Sequence, residues 1–238
     1  MATIIYLKKC ESTNDAILPF LAPHLDEMMS VYTFNQTKGK GQYGNSWEFS
    51  ESMNVAFSLA MGSNHFKLPD HLLNFHTAVL LGDFLAKMTK IPISIKWPND
   101  IIIRNKKVAG LLVEKKNIRG NTYFIIGIGL NVLQQNFDHL PKAGSLLTQA
   151  GLECNLEDLT LAIHEFLCMN LPRAIKEECL LDKLNQQLFR KEVVSVFEIK
   201  GLRQNGIIKE VDTKGFLWVD LENDGLQKFF HKEIELLY

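Results

Sequence analysis

The chain lacks the features that mark a secreted scaffold, a membrane protein or a general nucleic-acid binder. Only four cysteines occur in 238 residues, Cys10, Cys154, Cys168 and Cys179, and no two form a C-x-x-C pair. Neither a disulfide framework nor a zinc site is indicated, and free thiols point to a reducing cytoplasm. No apolar run approaches the roughly 18 residues needed to span a bilayer. The opening Met1-Ala2-Thr3-Ile4-Ile5-Tyr6 has no basic segment of the kind that starts a signal peptide, so the expectation is a cytoplasmic protein with no membrane partner. An excess of one charge is missing too. With 26 Lys and Arg against 27 Asp and Glu, the net charge is -1, which argues against DNA or RNA as the general partner but leaves room for a local basic patch.

What is present is an ordinary globular composition, 46% hydrophobic and 22% charged, which excludes disorder and fibrous repeats. At about 150 residues per domain, the length predicts one main domain with a small appendage. Strand patterns cover residues 3–8, 28–34 and 54–61, and short strands follow at 93–96, 101–104, 108–115 and 123–128. Ser12, Thr13, Asn14 and Asp15 offer N-cap oxygens for a helix running towards Leu21. Leu72, Phe75, Ala78, Leu81, Leu85 and Met88 fall on one helical stripe, as do Leu156, Leu159, Ile163 and Phe166. A further helix is predicted over 173–189. Beyond it, short strands at 193–199, 206–211, 217–221 and 228–231 alternate with Gly and Asp turns, the pattern of a small β-barrel. The expectation is an α+β fold, a mixed sheet flanked by helices over 1–189 and a small C-terminal β-barrel over 190–238.

Four segments carry chemistry. Gln36-Thr37-Lys38-Gly39-Lys40-Gly41-Gln42-Tyr43-Gly44-Asn45-Ser46-Trp47 places three glycines within six positions, so its backbone can approach an anion closely. As a string it fits G-x-G-x-x-G, but a dinucleotide fingerprint must open a helix and this segment leads into a strand. A P-loop reading fails because Asn45 stands where the phosphate-binding lysine belongs. In Lys96-Trp97-Pro98-Asn99-Asp100, the proline turn holds a cation and a carboxylate at one strand junction, which suits phosphate and magnesium handling. Lys107 precedes a strand whose Ala109 and Gly110 leave room for a ligand. Gly127 and Gly129 weaken a buried strand unless something approaches its backbone, and Asn131 at its end can bind a polar ligand or close a turn. Each segment alone also reads as a surface loop, an ordinary turn or a solvated face. Seven basic residues between Lys96 and Arg119 stand against Asp100 and Glu114, a local excess that fits an anionic ligand.

Taken in order, these segments with Glu11-Ser12-Thr13-Asn14 and Glu114 resemble the biotin protein ligase family, whose fold is similar to that of class II aminoacyl-tRNA synthetases. The resemblance implies two steps. Biotin carboxylate and ATP give biotinyl-5′-AMP and pyrophosphate, and a lysine of the biotin carboxyl carrier protein then takes the biotinyl group. It implies Lys107 at the carboxylate and α-phosphate, assisted by Lys96, with Asp100 at Mg²⁺. Ser12, Thr13, Asn14, Gln36, Gly39, Lys40, Gly41 and Gly110 would hold biotin. Gln42, Trp47, Asn99, Gly127, Gly129 and Asn131 complete the implied ligand shell, with Trp47 over adenine and Asn131 on the nucleotide side. The nearest rival is a lipoate or octanoate ligase or transferase of the related fold, whose Arg-Arg…Gly-Gly-Gly signature is not found here. A homodimer stays open beside the monomer. Glu11 lies too near the start for the DNA-binding helix-turn-helix domain that precedes this motif in some members, so no DNA partner is expected.

The loop departs from the family's G-R-G-R-x-G-R-x-W. Lys40 keeps a charge without the bidentate fork of arginine, and Gln42 and Asn45 lose the charge altogether. We therefore expect Gln42→Arg to slow the dissociation of biotinyl-5′-AMP, measured by chasing labelled intermediate from the purified protein. Equal dissociation rates in the variant and the parent would contradict this reading.

Overall fold

The computed structural model describes residues 2–21 and 27–238. The chain begins with β1 (Thr3–Tyr6), α1 (Thr13–Ala16) and β2 (Met29–Thr33). Then come the two-residue strands β3 (Gly39–Lys40) and β4 (Ser46–Trp47), the long β5 (Asn54–Gly62) and α2 (Leu72–Thr89). Two hairpins follow, β6 (Ser94–Lys96) with β7 (Asp100–Ile103) and β8 (Lys106–Ile118) with β9 (Asn121–Asn131). Helices α3 (Leu146–Ala150), α4 (Leu156–Asn170) and α5 (Glu177–Gln187) lead to β10 (Val194–Ile199), β11 (Leu202–Val211), β12 (Leu217–Leu221), β13 (Gly225–Phe229) and β14 (Glu235–Leu237). The expected α+β class is the one observed. Among the described residues, no helix is long and apolar enough to cross a membrane.

The main sheet has the order β1-β2-β5-β9-β8-β7-β6, with β1 and β2 parallel and the other neighbours antiparallel. Its strands alternate between two different environments because successive side chains point to opposite faces. On β5 and β9, Val55, Phe57, Leu59, Phe124, Ile126, Ile128 and Leu130 join the main core, which includes residues of α2, α4 and α5. The opposite face divides. Val31, Ala60, Tyr123 and Ile125 meet Ile17 and Leu21 in a small second core. Further along the same face, Ser58, Ala56, Gly127, Gly129 and Gly110 leave a shallow floor. Both faces of β5 are therefore covered, and all nine of its residues are buried.

Local chemistry sets the boundaries. Asn155 Oδ1 accepts the backbone N–H groups of Glu157 and Asp158, capping α4. Ser145 and Thr148 form a reciprocal capping box on α3, which Gly151 ends in the left-handed region. The last helix starts at Glu177, four residues later than its apolar pattern predicted. Ser12 occupies the N-cap of α1 without capping it by its side chain. Thr13 and Asn14 instead turn inward, and α1 is a single turn followed by the 3₁₀ turn Leu18–Phe20.

The expectation of a closed C-terminal β-barrel needs correction. The last strands form an open antiparallel sheet in the order β13-β12-β11-β10-β14, and its outer strands do not pair with each other. Closure is unnecessary because its apolar face is already covered. Phe197, Ile208, Val211, Leu217 and Val219 belong to the same buried cluster as the helices of the main sheet. The Asn185 side chain on α5 secures the contact by donating to Val211 O (3.0 Å) and accepting the Val211 N–H (2.7 Å).

Two histidines in this core are held neutral. Burial pushes His76 on α2 below the ordinary imidazole value, against the opposing pull of Asn170 and Leu171 backbone groups. Burial also lowers His164, whose Nδ1 lies 2.9 Å from Ser30 Oγ and whose Nε2 lies 3.2 Å from Ala2 O. A depressed folded pKa means that the unfolded chain binds protons first, so stability present at neutral pH is lost as pH falls below about 6.5. Urea midpoints should drop between about pH 7 and about pH 5, and His76→Leu should shrink that drop. An unchanged drop in the variant would assign the acid sensitivity elsewhere.

Candidate active site

The floor of the site is a row of paired residues that lack bulk. Gly110 on β8 faces Gly129 on β9, Gly129 faces Ala56 on β5, and Gly110 faces Asp100 on β7. One step along, Gly127 pairs with Ser58. The missing side chains are replaced by groups arriving from elsewhere in the chain. A Cβ on Gly129 would collide with the Trp47 indole, and a Cβ on Gly110 would lie 3.1 Å from Trp47 Cζ3 and 3.3 Å from Lys107 Nζ. At Gly127 a Cβ would run into the Asn14 side-chain amide. These glycines are thus explained by close approach, which the sequence pattern implied without naming what approaches.

At one end of the floor lies a buried polar network. Ser58 Oγ donates to Asn14 Oδ1 (2.6 Å) and lies 2.8 Å from Thr13 Oγ1. Asn14 Nδ2 donates to Glu114 Oε2 (2.8 Å), and Gln36 Oε1 accepts the Thr13 N–H (2.9 Å). Glu114 in turn pairs with Lys116 (2.7 Å). Each polar group is held in one orientation, which is what recognition of a planar polar ring requires.

At the other end, charge gathers. Lys107 Nζ lies 2.7 Å from Asp100 Oδ1 and 5.3 Å from the Trp47 ring centroid. Lys96 faces Asp100 across the β6–β7 hairpin. Burial holds its ammonium below the ordinary lysine value, an effect that Lys107 and Lys142 strengthen and Asp100 opposes. The Asn99 side-chain amide donates to Leu111 O (2.6 Å) and the Asn99 backbone carbonyl accepts the Leu111 N–H (3.0 Å), so the turn after Pro98 is tied to β8. Nearby, burial pushes the Tyr238 phenol up to about 12, so it stays protonated.

These groups surround a cavity of about 510 Å³ between the floor, the glycine-rich loop and the C-terminal sheet. Of the residues singled out in the sequence, Ser12, Thr13, Asn14, Gln36, Lys40, Gly41, Gln42 and Trp47 line it. So do Lys96, Asn99, Asp100, Lys107, Gly110, Gly127 and Gly129. Two lie elsewhere. Gly39 sits behind Trp47, its register partner, where a Cβ would strike the Trp47 carbonyl. Asn131 donates to Gly144 O (3.0 Å) and lines a neighbouring cavity of about 470 Å³ that shares Trp47, Lys96, Asp100 and Lys107 with the first. Sequence reasoning missed His231, Lys232 and Glu235 in the first cavity and Phe137, His139 and Tyr238 in the second. They carry no motif, and only folding brings them in.

Lys40 is less available than its motif implied, since its ammonium pairs with Asp15 and Lys38 pairs with Glu11. Among the described residues, no group of three or more His, Cys, Asp or Glu side chains could hold a metal ion.

The close approach at Gly127 sets up a test. Gly127→Ala should cost about 1–3 kcal/mol in unfolding free energy because the Asn14 amide must shift within a packed network. In an Asn14→Ala background the same change should cost much less. Equal costs in both backgrounds would mean that the Asn14 contact is not the constraint.

Comparison with known proteins identifies the family. A model of the Biotin/lipoate A/B protein ligase family matches residues 8–131. The biotin–[acetyl-CoA-carboxylase] ligase of Paracoccus denitrificans is 33% identical over 182 residues, covering 74% of this chain and 73% of that protein. The bifunctional ligase/repressor BirA of Bacillus subtilis is 26% identical over 248 residues, covering 98% of this chain and 74% of that one. Among solved structures, biotin protein ligase from Aquifex aeolicus in complex with biotin and ATP superposes with a TM-score of 0.79 at 23% identity, covering 100% of this chain and 99% of the other. The chain therefore belongs to the Biotin/lipoate A/B protein ligase family.

Proposed function

We propose that the chain is an ATP-dependent biotin–protein ligase that forms biotinyl-5′-AMP and transfers biotin to a lysine of a biotin carboxyl carrier protein. The observation that carries this reading is the convergence of Lys107, Lys96 and Asp100 where two cavities meet over a floor without side chains. A carboxylate and a triphosphate repel, and two positive groups fixed beforehand at their meeting point offset the charge that develops as they react.

In the first step a biotin carboxylate oxygen bonds to the α-phosphorus of ATP, and the bond to the departing pyrophosphate breaks. Lys107, aimed by Asp100, meets the new negative charge, and Lys96 adds to the local field. The Ser58–Asn14–Glu114 network suits the ureido end of biotin. Asn131 and the second cavity suit the nucleotide. In the second step the carrier's lysine amine attacks the carbonyl carbon of the mixed anhydride, and AMP leaves.

Asp100 is already paired with Lys107 and, among the described residues, no group of three His, Cys, Asp or Glu side chains could hold a metal ion, so a magnesium ion here would be held mainly by phosphate oxygens and water, with Asp100 as its protein contact. Such an ion would supply charge neutralisation on the phosphates. We place the catalytic unit in residues 1–189 and treat 190–238 as the unit that completes its wall. Four free cysteines suit a cytoplasmic setting.

The test combines purified protein, ATP, Mg²⁺, a carrier domain and biotin, with pyrophosphate release and carrier mass as readouts. Release that requires biotin, followed by the biotinyl mass shift, is expected, whereas release with lipoate or octanoate in place of biotin would overturn the substrate assignment. Lys107→Ala should lower adenylate formation about a hundredfold or more with unchanged circular dichroism. Formation at the parental rate would remove Lys107 from the mechanism.

A further inference from the structure

The tip of the glycine-rich loop is engaged by a part of the chain nearly two hundred residues away. Tyr43 sits in the left-handed region (φ 55°), followed by Gly44 (φ 83°), and Gly41 N–H bonds to Asn45 O (2.7 Å) to close the turn. Tyr43 does not line the cavity that its neighbours Gln42 and Asn45 line. The ring stacks on His231 with centroids 4.5 Å apart and planes 16° apart. Lys232 Nζ lies 5.3 Å from the centre of the same ring and donates to the Tyr43 carbonyl (3.1 Å). His231 also meets the Trp97 ring at 5.9 Å, and Trp97 Nε1 donates to Gly215 O (3.1 Å). The contact thus runs from the loop through the turn between β13 and β14 to the strand junction that carries Lys96 and Asp100.

A left-handed tyrosine that stays 57% exposed is not placed there by core packing. The aromatic stack and the ammonium contact supply the compensating interactions, and they tie two segments that line the same cavity.

We propose that Tyr43, His231 and Lys232 form a clasp by which the C-terminal sheet holds the glycine-rich loop shut over the cavity. The last strands of the chain thereby set how well the acyl-adenylate is retained and shielded from water. Tyr43 is a positioning residue and touches no reacting atom. The adenylate is the intermediate of the function proposed above, and the clasp rests on that reading for its consequence but not for its existence.

Two measurements test it. With biotin, ATP and Mg²⁺ but no carrier, Tyr43→Ala should raise steady AMP release by about fivefold through leakage and hydrolysis of the intermediate. Single-turnover formation of adenylate at saturating substrate should stay within about twofold of the parent, and Tyr43→Phe should restore tight retention because the ring remains. AMP release from Tyr43→Ala equal to the parent's, or equal leakage from the Ala and Phe variants, would overturn the clasp. Hydrogen exchange of residues 39–47 is the second measurement and needs no turnover. Exchange should be faster in Tyr43→Ala and in His231→Ala, and the double variant should be no faster than the faster single one. Additive effects or unchanged exchange would refute the contact, and parental protein that makes no adenylate while showing the exchange pattern would refute the ligase reading alone.

Discussion

A sheet can carry a pocket against its face only where the side chains on that face are missing, and every other feature of this site depends on that subtraction. Gly110, Gly129 and Ala56 stand side by side on three neighbouring strands, with Gly127 and Ser58 in the adjoining row. A methyl group at any of the three glycines would meet Trp47, Lys107 or Asn14. The loss of bulk is affordable because the other face of the same strands is filled by the main core, where Phe57, Phe124 and Ile126 are buried. One face supplies stability and the other supplies room.

The room is furnished at two ends with opposite chemistry. At one end polar groups are fixed by each other, Ser58 to Asn14 and Asn14 to Glu114, whose charge is met by Lys116. At the other a half-buried cation, Lys96, stands beside the Lys107–Asp100 pair in surroundings that weaken screening by water. A molecule with a polar ring at one end and a carboxylate at the other matches that polarity along its length. The roof is made by the glycine-rich loop, which is tied to α1 by the Lys40–Asp15 pair, to the segment before α1 by Lys38–Glu11, and to the C-terminal turn by Tyr43.

Much of the arrangement was legible beforehand. Alternating and helical periods located most of the strands and helices, with α3, β3, β4 and β14 missed, because those periods reflect which face is buried. The motifs were legible because each imposes a local demand. Glycine is required where another group crowds the backbone, and a Lys–Asp pair across a tight hairpin is a short-range event. The closed barrel was misjudged for a related reason. Short alternating strands describe a sheet with one apolar face, but not what covers that face, and here α5 and the main core cover it.

The order of residues alone determined the α+β class, the glycine-rich loop, the cationic strand junction and the family they resemble, since each rests on local periodicity or on side chains a few positions apart. Tertiary structure alone decided that Asn14 and Trp47 are the groups lying over the glycines. It also decided that Lys40 is met by Asp15, and that His231, Lys232 and Tyr238 join a site whose motifs end at Asn131. Those pairings span from tens to nearly two hundred residues. No local preference encodes them, and they exist only because burying the two faces of one sheet brings distant segments to the same edge.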